Sequence, residues 1–318
     1  MKYITYLTNF ENKKILDIGG LGHSLCDYLT PYIISKIDPS FLFLNNKLEV
    51  SLQKRNMNVK NNEKYFWNDY LNLNKLNNII YDKTNEEYKK INLTKTYSNI
   101  ELDSLQKMNN DNTIYFFSNN NRLYLFDLYQ YELLGLVEKN ITKNIINNLR
   151  NIFYEKHTKL IKNKYLINIY IRRGDLYENL KNKNKQKNFE LHIFDYIYNK
   201  IKNNLIDYTI NIISAGTNEQ MNNLKKYFEN YNNINLLFNQ KEEDVFYLMT
   251  QSDLLVFNET SFPFTSSLYC NGLIIKNKND NYFQNVIKFK NIKFLDNYYF
   301  IDNIKELELL KININNIG

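Results

Sequence analysis

The chain has 318 residues, 43% hydrophobic and 24% charged, enough for one large domain or two of ordinary size with packed cores built largely on its 27 Tyr and 20 Phe. The formal net charge is +7, but the cations are scattered among Asp and Glu, so no basic stripe interleaved with aromatics marks a nucleic-acid partner. Cys26 and Cys270, far apart, exclude a disulfide framework and a cysteine zinc site, and the apolar runs fall short of the roughly 20 residues a membrane span needs.

In chain order, 14–18 (KILDI) is a short apolar strand candidate running into Gly19-Gly20-Leu21-Gly22. Leu25, Tyr28, Leu29 and Tyr32 then recur at helical spacing. Strand, glycine turn and helix form the entry unit of a nucleotide-binding α/β fold. From 47 to 111 charges, Asn and Tyr alternate without a period, which predicts irregular structure or peripheral helices. Residues 113–117 and 123–128 read as strands or buried segments, and 141–161 as an amphipathic helix with Ile141, Ile145, Leu149, Ile152, Phe153 and Leu160 on one face.

After that helix the pattern alternates regularly. Strands are expected at 165–171, 208–214, 234–238, 253–257 and 273–275, and helices at 191–205, 218–231, 242–250 and 261–270. Repeated β-α-β-α means parallel strands with right-handed crossovers. The expected division is an α/β domain over 1–160 and a Rossmann-like domain over 161–318. Ligands of an open parallel sheet bind beyond the carboxyl ends of its strands. Arg172, Ser214-Ala215-Gly216-Thr217 and Asn258-Glu259-Thr260-Ser261 follow strand ends and should share one rim.

Two adjacent arginines, Arg172 and Arg173, leave a strand in opposite directions, followed by Gly174 and Asp175. A guanidinium matches a phosphate bidentately and stays charged; the same residues could also form an Arg–Asp staple of the turn. Thr260-Ser261-Phe262 opens a helix, where hydroxyls can cap the backbone or meet a phosphate. Gly19-Gly20-Leu21-Gly22-His23 is a tight turn that would let a ligand approach the backbone, with His23 a polar contact or a surface side chain.

Gly19-Gly20-Leu21-Gly22, then Tyr170-Ile171-Arg172-Arg173-Gly174-Asp175, then Asp253-Leu254-Leu255-Val256 leading to Thr260-Ser261-Phe262, occur in that order. The series resembles the fucosyltransferase superfamily, and most the bacterial-type α-1,2-fucosyltransferases, with their GGLGNQ-like turn, HIRRGD-like strand end and late SSF-like segment. The resemblance implies a GT-B-like α/β fold, two Rossmann-like halves facing a cleft, with the acceptor on the first half and a GDP-sugar, commonly GDP-fucose, on the second. It implies an inverting transfer to a glycan hydroxyl without a metal or other cofactor. Arg172 matches the arginine that contacts the donor diphosphate. Thr260, Ser261 and Phe262 match the late segment, Asp244 the acid that contacts the nucleotide, and Gly20, Gly22 and Tyr170 fall within matched motifs. His23, with Arg172, is a catalytic candidate; Glu259 and Asp175 share the expected rim, and no general base stands out among them. Leaving-group charge would build on the diphosphate, where a preorganised Arg172 and a helix N-terminus would stabilise it. The chain departs from the family pattern at Tyr170, where a histidine is usual, at His23-Ser24 for Asn-Gln, and at Ala215-Gly216-Thr217 for an Asp pair. These departures bear on the donor's identity.

The rival reading is an S-adenosylmethionine-dependent methyltransferase, because 15–22 (ILDIGGLG) also looks like that fold's first motif and Asp38 stands at the spacing of a ribose-binding acid. A second β-α-β series carrying Arg172 and Ser261 at strand ends argues for the transferase of sugars. The expected setting is cytoplasmic, with no leader-like start and no transmembrane segment; the positive charge permits a peripheral membrane contact without requiring it.

Overall fold

The computed structural model describes residues 2–6, 21–45, 48, 66–76, 89–92, 113–117, 125–173, 189–201, 207–258, 261–277 and 297–301. The chain forms two compact units, Met1–Thr158 and Lys159–Gly318. The strand expected at 14–18, with Gly19 and Gly20, lies outside the described residues.

The first unit is β1 (Lys2–Tyr6), α1 (Leu21–Ile37), β2 (Phe41–Phe43), α2 (Phe66–Tyr70), a 3₁₀ turn (Leu73–Leu76), β3 (Lys89–Asn92), β4 (Thr113–Phe117), α3 (Leu125–Leu133) and α4 (Ile141–Lys156). Its sheet runs β2-β1-β4-β3 with every pair parallel. α1 is the crossover from β1 to β2. Its Leu25, Tyr28, Leu29 and Tyr32 are buried, and the Tyr28 and Tyr32 rings meet Phe43 of β2 edge-on at 6.1 and 5.5 Å. Of the segment 123–128, read as strand or buried, residues 125–128 open helix α3 and not a strand, with Leu125 and Leu128 buried.

α3 ends in a Schellman turn. Gly135 takes φ +71°, Leu136 N–H donates to Tyr131 O at 2.9 Å and Gly135 N–H to Glu132 O at 3.1 Å. Glu132 then reaches the start of α4, accepting from the N–H groups of Asn140 and Thr142 at 2.6 and 3.2 Å. α4 buries Ile141, Ile145, Leu149, Ile152 and Phe153, as its spacing predicts, but stops at Lys156. There the His157 ring stacks on Phe153 at 4.3 Å, and its Nε2 lies 2.7 Å from Tyr70 O.

The second unit is β5 (Tyr165–Tyr170), α5 (Phe189–Ile201), β6 (Tyr208–Ser214), α6 (Asn218–Phe228), β7 (Ile234–Phe238), α7 (Glu242–Thr250), β8 (Leu254–Phe257), α8 (Ser261–Ser267), β9 (Leu273–Asn277) and β10 (Tyr298–Ile301). The strands order as β7-β6-β5-β8-β9-β10, all parallel. Chain direction along the sheet therefore reverses between β5 and β8, as in a doubly wound dinucleotide fold. Right-handed crossovers moving in opposite directions must cover opposite faces. Ile167, Ile169, Ile171, Ile210, Ile212, Leu254 and Val256 accordingly pack with Ile193, Phe194 and Ile197 of α5 and Met221, Leu224 and Phe228 of α6. Each such side chain contributes about 2 kcal/mol by leaving water. The other face carries Tyr170 and lies under α7 and α8, where Phe262 meets both Tyr170 and Phe246, at 6.3 and 5.9 Å.

Polar groups inside this sheet fix its register. Asn168, Asn211 and Asn235 are register partners on three adjacent strands. Asn235 Nδ2 donates to Asn211 Oδ1 at 3.0 Å, Asn211 Nδ2 to Asn168 Oδ1 at 2.8 Å, and Asn168 Nδ2 to Leu248 O and Ser252 Oγ at 2.9 and 2.8 Å. A one-residue slip would turn these amides into the isoleucine face. At the opposite edge, Asp253 accepts from Leu166 N–H at 2.7 Å and from Lys162 Nζ, tying β5 to the entry of β8. Only glycine fits at Gly272, because a Cβ there would lie 2.2 Å from Ser252 O and 2.6 Å from Asp253 O. Among the described residues no helix is long and apolar enough to cross a membrane.

Candidate functional site

The switch point of the second sheet lies between β5 and β8, and the carboxyl ends of those two strands carry the candidate residues. Tyr170 and Phe257, the last residues of each, are register partners. The ladder continues one residue past β5, with Ile171 N–H donating to Ile213 O at 2.8 Å and Ser214 Oγ donating to Ile171 O at 2.7 Å. Ile171 is buried in the isoleucine face, so strand alternation puts Arg172 on the Tyr170 side and Arg173 on the opposite side. Arg172 is half-buried with its Nε shielded from solvent. Arg173 folds back, its Nη1 donating to Arg172 O at 2.8 Å.

Tyr170 is 6% exposed, its ring facing half-buried Phe262 across the start of α8. Ser261 opens α8, and its carbonyl accepts from Thr265 Oγ1 at 2.8 Å. One residue beyond β8, Asn258 is 7% exposed. Gly174, Asp175, Glu259 and Thr260 lie outside the described residues. Asp244 is exposed in the first turn of α7 beside Glu242 and Glu243, at the far end of the same edge beyond β7. Three carboxylates there also suit the positive end of a helix dipole. In the rim loop after β6, Thr217 forms a capping box with Gln220, and Gly216 N–H donates to Asn239 Oδ1 at 3.0 Å. That loop's polar groups are occupied by structure.

The structure thus brings Tyr170, Arg172, Ser261 and Phe262 to one edge at the switch point. Gly22 and His23 stand in the first turn of α1, in the other unit; Gly22 is buried, and the His23 side chain lies outside the described residues. Among the described residues no group of three or more His, Cys, Asp or Glu could hold a metal.

One charged residue at this edge escaped the sequence reading. Lys276 was expected beyond a strand ending at Ile275, but β9 runs to Asn277, and Lys276 is 1% exposed. Its register partner on β8 is Phe257. Its Nζ donates to Asn277 O at 3.2 Å, so the ammonium lies toward the carboxyl edge. A lysine after an apolar triplet usually signals a strand leaving the core, and that signal misled here.

The methyltransferase reading loses its acidic residue. Asp38 sits before β2 and not after it, its Oδ1 accepting from Ser40 N–H at 2.9 Å and its carbonyl from Phe41 N–H at 3.1 Å. It therefore shapes the turn at the amino end of β2, opposite the edge where a parallel sheet binds ligands.

No protein-family model matches the chain, and no curated protein does either. Among solved structures it is similar to a glycosyl transferase family 9 protein from Veillonella parvula, at 12% identity and a TM-score of 0.40, over 100% of this chain and 90% of that one. It is also similar to the catalytic domain of starch synthase IV from Arabidopsis thaliana, bound to ADP and acarbose, at 11% identity and a TM-score of 0.31. That match covers 64% of this chain and 42% of the starch synthase chain. At these values neither likeness carries an argument about activity, and the fold rests on the parallel strand orders themselves: the chain is an α/β protein of two Rossmann-like units.

Proposed function

We propose that the chain is a glycosyltransferase that takes a sugar from a nucleoside diphosphate donor held at the carboxyl edge of the second sheet. The observation that carries this reading is Arg172, leaving β5 on the Tyr170 side at the point where strand order reverses. A half-buried guanidinium there offers two parallel N–H donors to a diphosphate. Phe262 and Tyr170 line the same edge with apolar surface.

In the proposed reaction an acceptor hydroxyl oxygen attacks the anomeric carbon while the bond from that carbon to the diphosphate oxygen breaks. The hydroxyl proton passes to a base, the configuration inverts, and the nucleoside diphosphate leaves with its new negative charge on Arg172. Inversion without a metal, and GDP-fucose as donor, come from the resemblance of the three motifs; the acceptor would be a glycan. Gly20, Gly22 and His23 on the first unit, and Asp244, Thr260 and Ser261 on the second, are the further contacts this reading names.

Thermal shift with GDP, UDP and S-adenosylhomocysteine tests it, since a ligand that binds only the native state raises the melting temperature. Stabilisation by GDP, or by UDP, supports the reading. Stabilisation by S-adenosylhomocysteine alone overturns it.

A further inference from the structure

Ser214, the last residue of β6, is 2% exposed, and its hydroxyl donates to Ile171 O at 2.7 Å. That carbonyl belongs to the peptide unit whose nitrogen is Arg172's own. A peptide unit is planar, so holding its oxygen also holds the nitrogen and the Cα from which the Arg172 side chain departs. β5 ends at Tyr170, and Ile171 N–H adds one further bond, to Ile213 O at 2.8 Å. A continuing parallel ladder would next bring the N–H of Ala215 to Ile171 O; here the Ser214 hydroxyl serves that carbonyl. Ser214 is in turn held from β7. Asn239 N–H donates to the Ser214 carbonyl at 3.0 Å, and Asn239 Oδ1 accepts from Gly216 N–H at 3.0 Å.

A guanidinium on a long side chain binds a diphosphate best when its fork is aimed before the ligand arrives, because ordering it afterwards subtracts from affinity. Arg172 stands two residues past the end of β5, where a strand normally leaves its ladder. By alternation Ser214 lies on the isoleucine face with Ile171, Ile210 and Ile212, while Arg172 departs on the Tyr170 face. The hydroxyl therefore works from the side of the sheet opposite the guanidinium. We propose that Ser214 is a positioning residue: through Ile171 O it sets the direction in which Arg172 leaves the strand, without touching the nucleotide. This rests on the reading of the edge as a nucleotide site. Alanine at 214 would take this donor from a carbonyl of a fully buried residue and let the peptide unit before Arg172 turn.

The test is calorimetric titration of GDP and UDP, carried to millimolar ligand and well below the melting temperature, on the wild-type chain, S214A, S214T, R172A and the S214A/R172A double variant. S214A should weaken binding about tenfold, and S214T, which keeps a hydroxyl, should bind within about twofold of the wild type. On the R172A background S214A should change affinity less than about twofold, because the side chain it aims is gone. S214C, whose thiol is a weak donor of similar size, takes the place of S214A should the latter not fold. A merely structural bond would lower the ligand-free melting temperature of S214A and leave the affinity of the folded chain unchanged; that result overturns the proposal. So does an equal loss on both backgrounds, or S214T binding as weakly as S214A, and either leaves the nucleotide site standing. A wild-type chain that binds neither GDP nor UDP overturns the nucleotide reading itself.

Discussion

The two units differ in where some of their described polar side chains are used. In the second unit one set lies within the sheet: the Asn168–Asn211–Asn235 row, the Asp253 carboxylate on Leu166 N–H, and Lys276 at the strand ends, beside the Thr217 capping box at the start of α6. In the first unit Thr5 Oγ1 of β1 donates to Leu44 O at 2.7 Å, and a larger set works near helix ends: Glu132 on the start of α4, Asn72 Nδ2 on Ile152 O at 2.7 Å, and His157 on Tyr70. Groups inside a sheet fix register over several strands at once, whereas a cap fixes one terminus. The second sheet therefore holds its carboxyl edge as a defined platform, which a site built from the ends of separate strands requires.

That contrast predicts unequal costs. Gly272→Ala should be the most damaging, at about 3 kcal/mol in urea unfolding, because its Cβ would meet two backbone oxygens that only a shift of β9 against β8 can clear. Asn168→Leu should cost about 2 kcal/mol, since it strands Asn211 Nδ2 inside the protein and removes the Asn168 bonds to Leu248 O and Ser252 Oγ. A loss smaller than that of a cap deletion would mean that the amide row does not set register. Alkaline pH is a third probe. Burial pushes the Tyr269 phenol up, and likewise Tyr165 and Tyr227, the last also beside Asp195. A raised pKa in the folded state leaves stability intact below the ordinary tyrosine value of 10.0 and removes it above. The fully buried Tyr269 alone should cost about 1.4 kcal/mol per pH unit there. Tyrosinate absorbance should rise together with loss of ellipticity; absorbance rising while ellipticity holds would contradict this. Glu132→Ala, in the first unit, should cost about 1 kcal/mol by freeing two N–H groups of α4.

The second unit was also the more legible in sequence. β7 and α7 begin and end at the residues their periodicity predicts, because a short apolar run bounded by Asn on both sides and a following apolar helical repeat mark both elements even at the sheet's edge. β10, an aromatic run at Tyr298–Ile301, was not read, nor were β1, β2 and β3 of the first unit. Lys89-Lys90-Ile91-Asn92 has no apolar alternation, and only its pairing with β4 makes it a strand. At the candidate site, the position of Arg172 at a strand end could be read from the pattern around it. Its place at the switch point could not, because strand order is set by tertiary pairing. Lys276 was missed for a related reason: a buried cation looks, in sequence, like the end of a strand.

The most direct measurement is the affinity of GDP and UDP for Arg172→Ala and Arg173→Ala, with ellipticity and the ligand-free melting temperature as checks on folding. The account predicts that Arg172→Ala weakens binding about a hundredfold while the fold stays intact, and that Arg173→Ala binds nearly as the wild type does. Normal binding by Arg172→Ala, with loss in Arg173→Ala, would contradict it.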